Sequence, residues 1–254
     1  MSFQNYLISL CPPQFRIQIL FYVKQLRGSL DNEIKYLEDL VSKNRVAIDI
    51  GANKGLYSYA LSKFCRVVHA FEPQPGTAEV IGKSRIDNIK INNVALSDTE
   101  GTLTLHIPII RGEIYSALAS FREPEGQHQD IEVPIKRLDD YNFQDVSFIK
   151  IDVEGHESHV IEGGRQTILR EKPVLLVEIE QRHLGSEPIE VVFEKITDLG
   201  YEGWFLNQGK FFPLSQFSYE KYQKPFLEDD TKAIFSHKNR GKVNNFLFKP
   251  TKND

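Results

Sequence analysis

Cysteine is scarce in this chain: Cys11 and Cys65 are the only two in 254 residues. Two thiols cannot form a disulfide framework or a cysteine-built zinc site, and they suit a reducing compartment. Long apolar runs are also missing. The most apolar early stretch, residues 17–23, contains Gln18 and falls far short of the roughly 20 residues that span a bilayer. No basic leader followed by an apolar core and a small-residue cleavage site opens the sequence. These absences predict a cytoplasmic protein with no transmembrane segment. Neither sign of charge dominates: 31 Lys and Arg face 35 Asp and Glu, a net charge of −4. That balance gives no support to a nucleic-acid partner held by overall electrostatics. Long internal repeats and low-complexity tracts are absent too.

What is present is a regular alternation. Residues 1–44 read as helical, with Leu30, Ile34, Leu37 and Val41 at helical spacing, Asp31 as a candidate N-cap and Pro12-Pro13 opening an earlier helix. The period then changes. Short apolar runs at residues 46–50, 66–71, 89–96, 146–153 and 173–179 alternate with helical stretches at 56–63, 157–170 and 188–199. Such βαβ units predict a mainly parallel sheet. Residues 97–137 break the rhythm and read as an insertion with two extra strands around a polar loop at 111–130. Residues 201–206 and 209–214, divided by Asn207-Gln-Gly209, read as a hairpin. The expected division is a helical extension over 1–44 and one domain over 45–254.

Two motifs carry chemistry. In Val46-Ala-Ile-Asp-Ile-Gly-Ala-Asn-Lys-Gly55 a strand delivers Asp49, then Gly51 and Gly55, then a helix. Gly51 permits a tight turn and a close ligand approach, and the helix start offers unpaired N–H groups. Glu72 follows at the end of the next strand, where a carboxylate can accept from both hydroxyls of a ribose. The Gly-x-Gly-x-x-Gly signature of a pyrophosphate cradle is absent, and Asp49 would repel a pyrophosphate. An acid there suits a ligand bearing an amino group and a sulfonium, and S-adenosylmethionine has both. In Ser147-Phe-Ile-Lys-Ile-Asp-Val-Glu-Gly-His-Glu157 a strand ends at Asp152, and Glu154, His156 and Glu157 crowd the following turn. Ligands of open parallel sheets bind at C-terminal strand ends, so Asp49, Glu72 and Asp152 are expected on one rim.

Together with Ala70-Phe-Glu-Pro73, Asn93-Val-Ala-Leu-Ser-Asp98, Leu138-Asp139 and Ile149-Lys-Ile-Asp-Val-Glu-Gly-His-Glu157, this ordered set resembles the FkbM-type methyltransferases. They are a branch of the class I S-adenosylmethionine-dependent enzymes. The resemblance runs over residues 46–183. It implies a Rossmann-like α/β fold: a mostly parallel seven-stranded sheet with an antiparallel last strand, here assigned to the hairpin at 201–214. It also implies that Asp49, Gly51 and Asn53 line the methionine part of the cofactor and that Glu72 holds the ribose. Asn93, Ala95 and Leu96 would frame the adenine, and Asp152 would lie near the transferred methyl.

The expected reaction is methyl transfer from S-adenosyl-L-methionine to a hydroxyl of a glycan, glycolipid or secondary metabolite. Candidates to accept the hydroxyl proton are His183, Asp152, His156 and Glu154, histidine because it titrates near neutrality. His69 reads as packing within a strand, while His106 and His128 fall in the insertion without an assignable role. A rival device is Mg²⁺ on Asp152, Glu178 and Glu180; the favoured reading has no metal. Tyr201, Trp204, Phe205, Phe211, Phe212 and Phe217 suit core packing better than a sugar-stacking platform. The alternatives are an NAD-dependent oxidoreductase, disfavoured by the loop, and a nucleotide-binding module without catalysis.

Overall fold

Five-residue runs such as Val-Ala-Ile-Asp-Ile are apolar on both faces, and strands of that kind are stable only when helices or loops cover both sides of the sheet. The computed structural model, which describes residues 11–226 and 241–251, shows this arrangement. Strand β1 (Val46–Ile50) is buried along its length and pairs in parallel with β2 (Val67–Phe71). Beyond β2 lies β3 (Ile89–Asn92).

Nine further strands follow. Strands β4 (Ala95–Leu96), β5 (Gly101–Ile110), β6 (Glu113–Ile114) and β7 (His128–Lys136) belong to the insertion, and β8 (Val146–Ile151) and β9 (Val174–Glu178) return to the main sheet. Then come β10 (Tyr201–Asn207), β11 (Lys210–Pro213) and β12 (Asn245–Pro250). The main sheet has the order β11-β10-β12-β9-β8-β1-β2-β3.

The period of two divides these strands between two cores. Ile48, Ile50, Ile149, Ile151 and Val177 face one cluster, which holds Phe205, Phe246 and Phe248. Ala47, Phe148 and Leu176 point the other way, against Phe21, Leu37 and Leu61. The covering helices are α1 (Arg16–Leu26), α2 (Leu56–Ser62), α3 (Pro75–Lys83), α4 (Glu157–Gly163), α5 (Arg165–Glu171) and α6 (Ile189–Thr197). No helix among the described residues is long and apolar enough to cross a membrane.

The Rossmann-like class is the expected one, but the sheet has eight strands, not seven. The antiparallel strand inside it is β12, inserted between β9 and β10 and antiparallel to both. The hairpin at 201–214 instead supplies β10 and the edge strand β11, with Gln208 and Gly209 both at positive φ in the turn. Two other expectations need redrawing. The run at 89–96 bends at Asn93-Val94, so that β4 leaves the main sheet and pairs with β7. The helix expected over 157–170 is two helices broken at Gly164, where an added Cβ would lie 3.0 Å from Leu138. The N-terminal segment has α1, then a 3-10 turn (Asn32–Tyr36) and a short helix (Leu37–Leu40); Asp31 sits at the N-cap position without a side-chain capping bond. Residues 1–10 of the expected extension lie outside the described residues.

Insertion strands β5 and β7 form a ladder from Gly101↔Ile135 to Pro108↔His128, flanked by β4 and β6 in a four-stranded sheet. The expected loop at 111–130 contains β6 and a 3-10 turn (Ser116–Leu118), and its last residues already belong to β7.

Candidate active site

Three hollows open along the C-terminal ends of β1, β2, β8 and β9. One, of about 600 Å³, is walled by Gly51, Asn53, Glu72, Ala95, Leu96, Asp152 and Glu154, with apolar Phe71, Val94, Leu105 and Phe121. A second, of about 750 Å³, is walled by Asp31, Asp49, Tyr57, Lys150 and Asp152. The third is a groove of about 2120 Å³ that includes Lys24, Arg27, Glu33, Asp152, Glu154, Glu178, Glu180 and Lys242. Asn53, Ala117 and Asp152 line all three, so they form one continuous trough.

Gly51 makes this junction possible. Its φ is +79°, and a Cβ there would lie 1.8 Å from the Asp152 carbonyl oxygen, so only glycine lets the β1 and β8 ends approach this closely. Asn53 follows in the left-handed region at φ 47°. Its N–H donates to Glu72 Oε2 at 2.8 Å, and the Gln74 N–H donates to Glu72 Oε1 at 2.9 Å. The Glu72 carboxylate is therefore held in one orientation while still facing the hollow. Burial pushes its carboxyl up to about 7, against the pull of the Gln74 and Asn53 N–H groups. Asp49 is almost fully buried and accepts from Ser58 Oγ at 2.5 Å. Burial pushes its carboxyl up to about 6, with Ser58 and Lys150 acting in the other direction.

Lys150 was not singled out as a site residue from sequence, although it stands inside the second motif. Its side chain is buried, with Nζ 3.7 Å from Asp152 Oδ2 and 3.9 Å from Glu178 Oε2. Nζ also lies 5.1 Å from the centre of the Tyr57 ring. Burial opposes its charge, but Asp152 and Glu178 outweigh it and hold the ammonium above its ordinary value. Burial pushes the Glu178 carboxyl well up, and the Asp152 charge adds to this. Glu180 turns to other partners: Lys242 Nζ donates to both its oxygens at 2.7 Å, and Arg182 lies 2.7 Å away. Burial raises the Glu180 carboxyl, and these two cations more than offset it.

The proton-acceptor candidates are placed very differently. Asp152 and Glu154 stand on the wall of the trough. His183 lies behind Glu154, with Nε2 2.9 Å from Glu154 Oε2 and 2.9 Å from Arg182 Nε. A protonated Nε2 donates to Glu154, and a bare one accepts from Arg182. Burial disfavours the imidazolium, yet Glu154 outweighs it and raises the ring's pKa. His156 contributes to none of the three walls. Its Nε2 is 2.8 Å from Ser97 Oγ and its ring stacks on His159 at 4.2 Å. Burial drives it down to about 4.

Ala95 and Leu96 line the smaller hollow, whereas Asn93 acts from behind. Its side-chain amide donates to the carbonyls of Glu72 at 2.8 Å and Pro73 at 2.9 Å, which fixes the loop carrying Glu72. His69 packs against Phe143 at 4.3 Å. Phe205, Phe212 and Phe217 pack in the main core.

The insertion, expected to help shape the acceptor pocket, supplies a cover. Residues 115–121 of the insertion close over the trough, pinned by Gln74 Nε2 donating to the Ser116 carbonyl at 2.9 Å and Ser120 Oγ donating to the Glu154 carbonyl at 2.7 Å. The composition of this stretch gave no signal, because the contacts are long-range. Asp31 and Glu33 stand at the mouth of the trough and were not marked by anything local; partial loss of solvent around them raises both carboxyls, Glu33 to about 7.

Comparison with known proteins finds methyltransferases. The chain is 25% identical over 195 residues to the 2-O-methyltransferase NoeI of Sinorhizobium fredii, spanning 68% of this chain and 79% of that one. A methyltransferase FkbM structure from Methylobacillus flagellatus superposes with a TM-score of 0.51 at 12% identity. That match covers 94% of this chain, which spans 55% of the length of the Methylobacillus protein. An rRNA methylase structure from Streptococcus thermophilus gives a TM-score of 0.44 at 12% identity, covering 86% of this chain and 95% of that one. The methyltransferase FkbM domain model matches residues 49–202, well over half of the chain and all three rim acids, and the chain therefore belongs to the FkbM methyltransferase family.

Proposed function

We propose that the protein transfers the methyl group of S-adenosyl-L-methionine to a hydroxyl oxygen of a glycan, glycolipid or secondary metabolite. The observation that carries this reading is the position of Asp152. It stands where the largely apolar hollow containing Glu72 meets the larger, polar groove. A donor lying in the first and an acceptor lying in the second would meet at that residue.

The residues fit the cofactor. The Glu72 carboxylate is oriented and available to ribose hydroxyls, while Ala95, Leu96, Phe71 and Phe121 provide an apolar slot for a base. Asn53 Oδ1 is buried without a hydrogen-bond partner among the described residues. A buried unpaired acceptor is costly, and an amino group of the cofactor would satisfy it. Asp49 and Asp152 would provide negative charge toward that end. When bound, the cofactor supplies a methyl group already activated on a sulfonium. The protein's task is then alignment, which is worth about 7–11 kcal/mol for a well-oriented pair.

Asp152 and Glu154 line the place where an acceptor hydroxyl would lie, and His183 backs Glu154. We assign Glu154 with His183 as the pair that takes the hydroxyl proton. A hydroxyl acceptor is supported by the relative named as a 2-O-methyltransferase and by the size and polarity of the groove. The small net charge favours a small-molecule or glycan acceptor over nucleic acid.

Calorimetry with S-adenosylmethionine, S-adenosylhomocysteine and NAD tests the cofactor. Binding of the first two is expected; tight NAD binding without S-adenosylhomocysteine binding would overturn the reading in favour of an oxidoreductase. Transfer of labelled methyl to a panel of glycans tests the acceptor class. His183→Ala is expected to lower turnover by about 10²–10⁴-fold, the usual contribution of a general base, while cofactor affinity is retained. Full turnover would remove His183 from the proton path.

A further inference from the structure

We propose that His106, His128 and Asp130 form a binding site for a divalent first-row transition ion, zinc foremost, near the tip of the β5–β7 ladder. Strand register brings the three together. His106 lies directly opposite Asp130, and His128 is two residues before Asp130 on the same strand. With a period of two, all three side chains project from one face. Their ligand atoms lie within 4.8 Å of one another, the one such group among the described residues.

The distances are spread around the edge of a small tetrahedral shell, and the His106–Asp130 hydrogen bond would open as an ion enters. His106 Nδ1 is 2.8 Å from Asp130 Oδ1, His128 Nε2 is 3.5 Å from the same oxygen, and Glu123 Oε1 is 3.8 Å from His128 Nε2. Zinc bonds of about 2.0–2.1 Å give ligand-to-ligand edges of about 3.3 Å, so small movements would close the shell. Glu123, with a largely exposed side chain, is placed to be the fourth ligand, whereas both histidines are shielded.

The orientation of His128 is the more telling feature. Its Nδ1 is 3.0 Å from the Gly126 carbonyl oxygen. A carbonyl can only accept, so Nδ1 carries the proton. Nε2 of the neutral ring is then a bare lone pair facing two carboxylates. That arrangement needs a cation between the groups or a second proton on the ring. An imidazole whose far N–H is fixed by a carbonyl is also the usual posture of a metal ligand. Imidazole donors favour zinc, copper or nickel over magnesium.

The site would act on the flap. The backbone of His106 exchanges two hydrogen bonds with Ser120, at 2.9 and 3.0 Å, and Ser120 Oγ is tied to Glu154. An ion on His106 would stiffen the segment that closes over the trough.

The test uses tag-free full-length protein stripped with EDTA and dialysed, then titrated with Zn²⁺ by calorimetry and with Co²⁺ by visible absorbance. The expected result is about one ion per chain, with the intense d–d bands of tetrahedral cobalt. His128→Asn and Asp130→Asn should each weaken binding by at least about 100-fold, while His159→Asn should not change it. Retained S-adenosylhomocysteine binding by the variants would show that they are folded. Absence of binding in the wild-type protein would overturn the proposal. So would binding that survives in both variants.

Discussion

Lys150 places a positive charge between Asp152 and Glu178, where a divalent ion would otherwise have to sit. Added Mg²⁺ should therefore leave turnover unchanged, and a steep Mg²⁺ dependence would show that the lysine does not fill that role. Lys150→Met leaves two carboxylates without their counter-ion and should destabilise the fold by about 3–5 kcal/mol, read from denaturant melts. Glu72 makes a prediction about pH. In the free protein its carboxyl titrates at about 7, and ribose hydroxyls donate to the charged form. S-adenosylhomocysteine affinity should thus rise as pH increases through about 7 and then level off. Glu72→Gln should flatten that profile, and Glu72→Ala should weaken binding by about 10-fold or more, since each hydrogen bond to a charged acceptor is worth about 1.5–3 kcal/mol. Asp49, Glu72 and Asp152 were legible in the sequence because each ends an apolar run, and strand ends in a parallel sheet share one edge. Lys150, Tyr57, Asp31 and Glu33 were not. Nothing local marks them, and they meet only when α2 and the segment after α1 pack over that edge.

Among the elements, the insertion has the clearest testable role. The segment over the trough is fastened by few bonds, and Gln74 to the Ser116 carbonyl is one of them. Gln74→Ala removes a bond of about 1 kcal/mol. It should weaken S-adenosylhomocysteine binding by about fivefold and speed proteolytic cleavage within residues 111–127. Unchanged affinity and cleavage would show that the flap is held by other contacts. The two long strands of this insertion were visible as alternating runs at Thr102–His106 and Ile131–Ile135. Their connection was not, because a polar composition says nothing about where Ser116 or Phe121 will lie. Strand β12 escaped for the opposite reason: residues 245–248 are buried on both faces, so Asn245-Phe-Leu-Phe248 shows no alternation to detect.

For the molecule as a whole, stability should depend on Glu157. Its carboxylate is buried, with Oε1 accepting from the Gly155 N–H at 3.0 Å and Oε2 without a partner among the described residues. Burial pushes it up to about 7 from an ordinary 4.5. The folded state thus holds this proton to a higher pH than the unfolded chain, so its contribution is fully present below about 4.5 and is lost as pH rises through about 7. The melting temperature of the wild type should fall relative to Glu157→Gln between about pH 5 and pH 8; parallel curves would refute the assignment. The position of β12 has a consequence for biosynthesis. It is the seam between β9 and β10, both of which are translated well before it. Until residue 250 has left the ribosome tunnel, two inward-facing rows of backbone amides and carbonyls stay open to any neighbouring nascent chain. The half-built sheet is then a sticky object, and chaperone demand should peak in that interval.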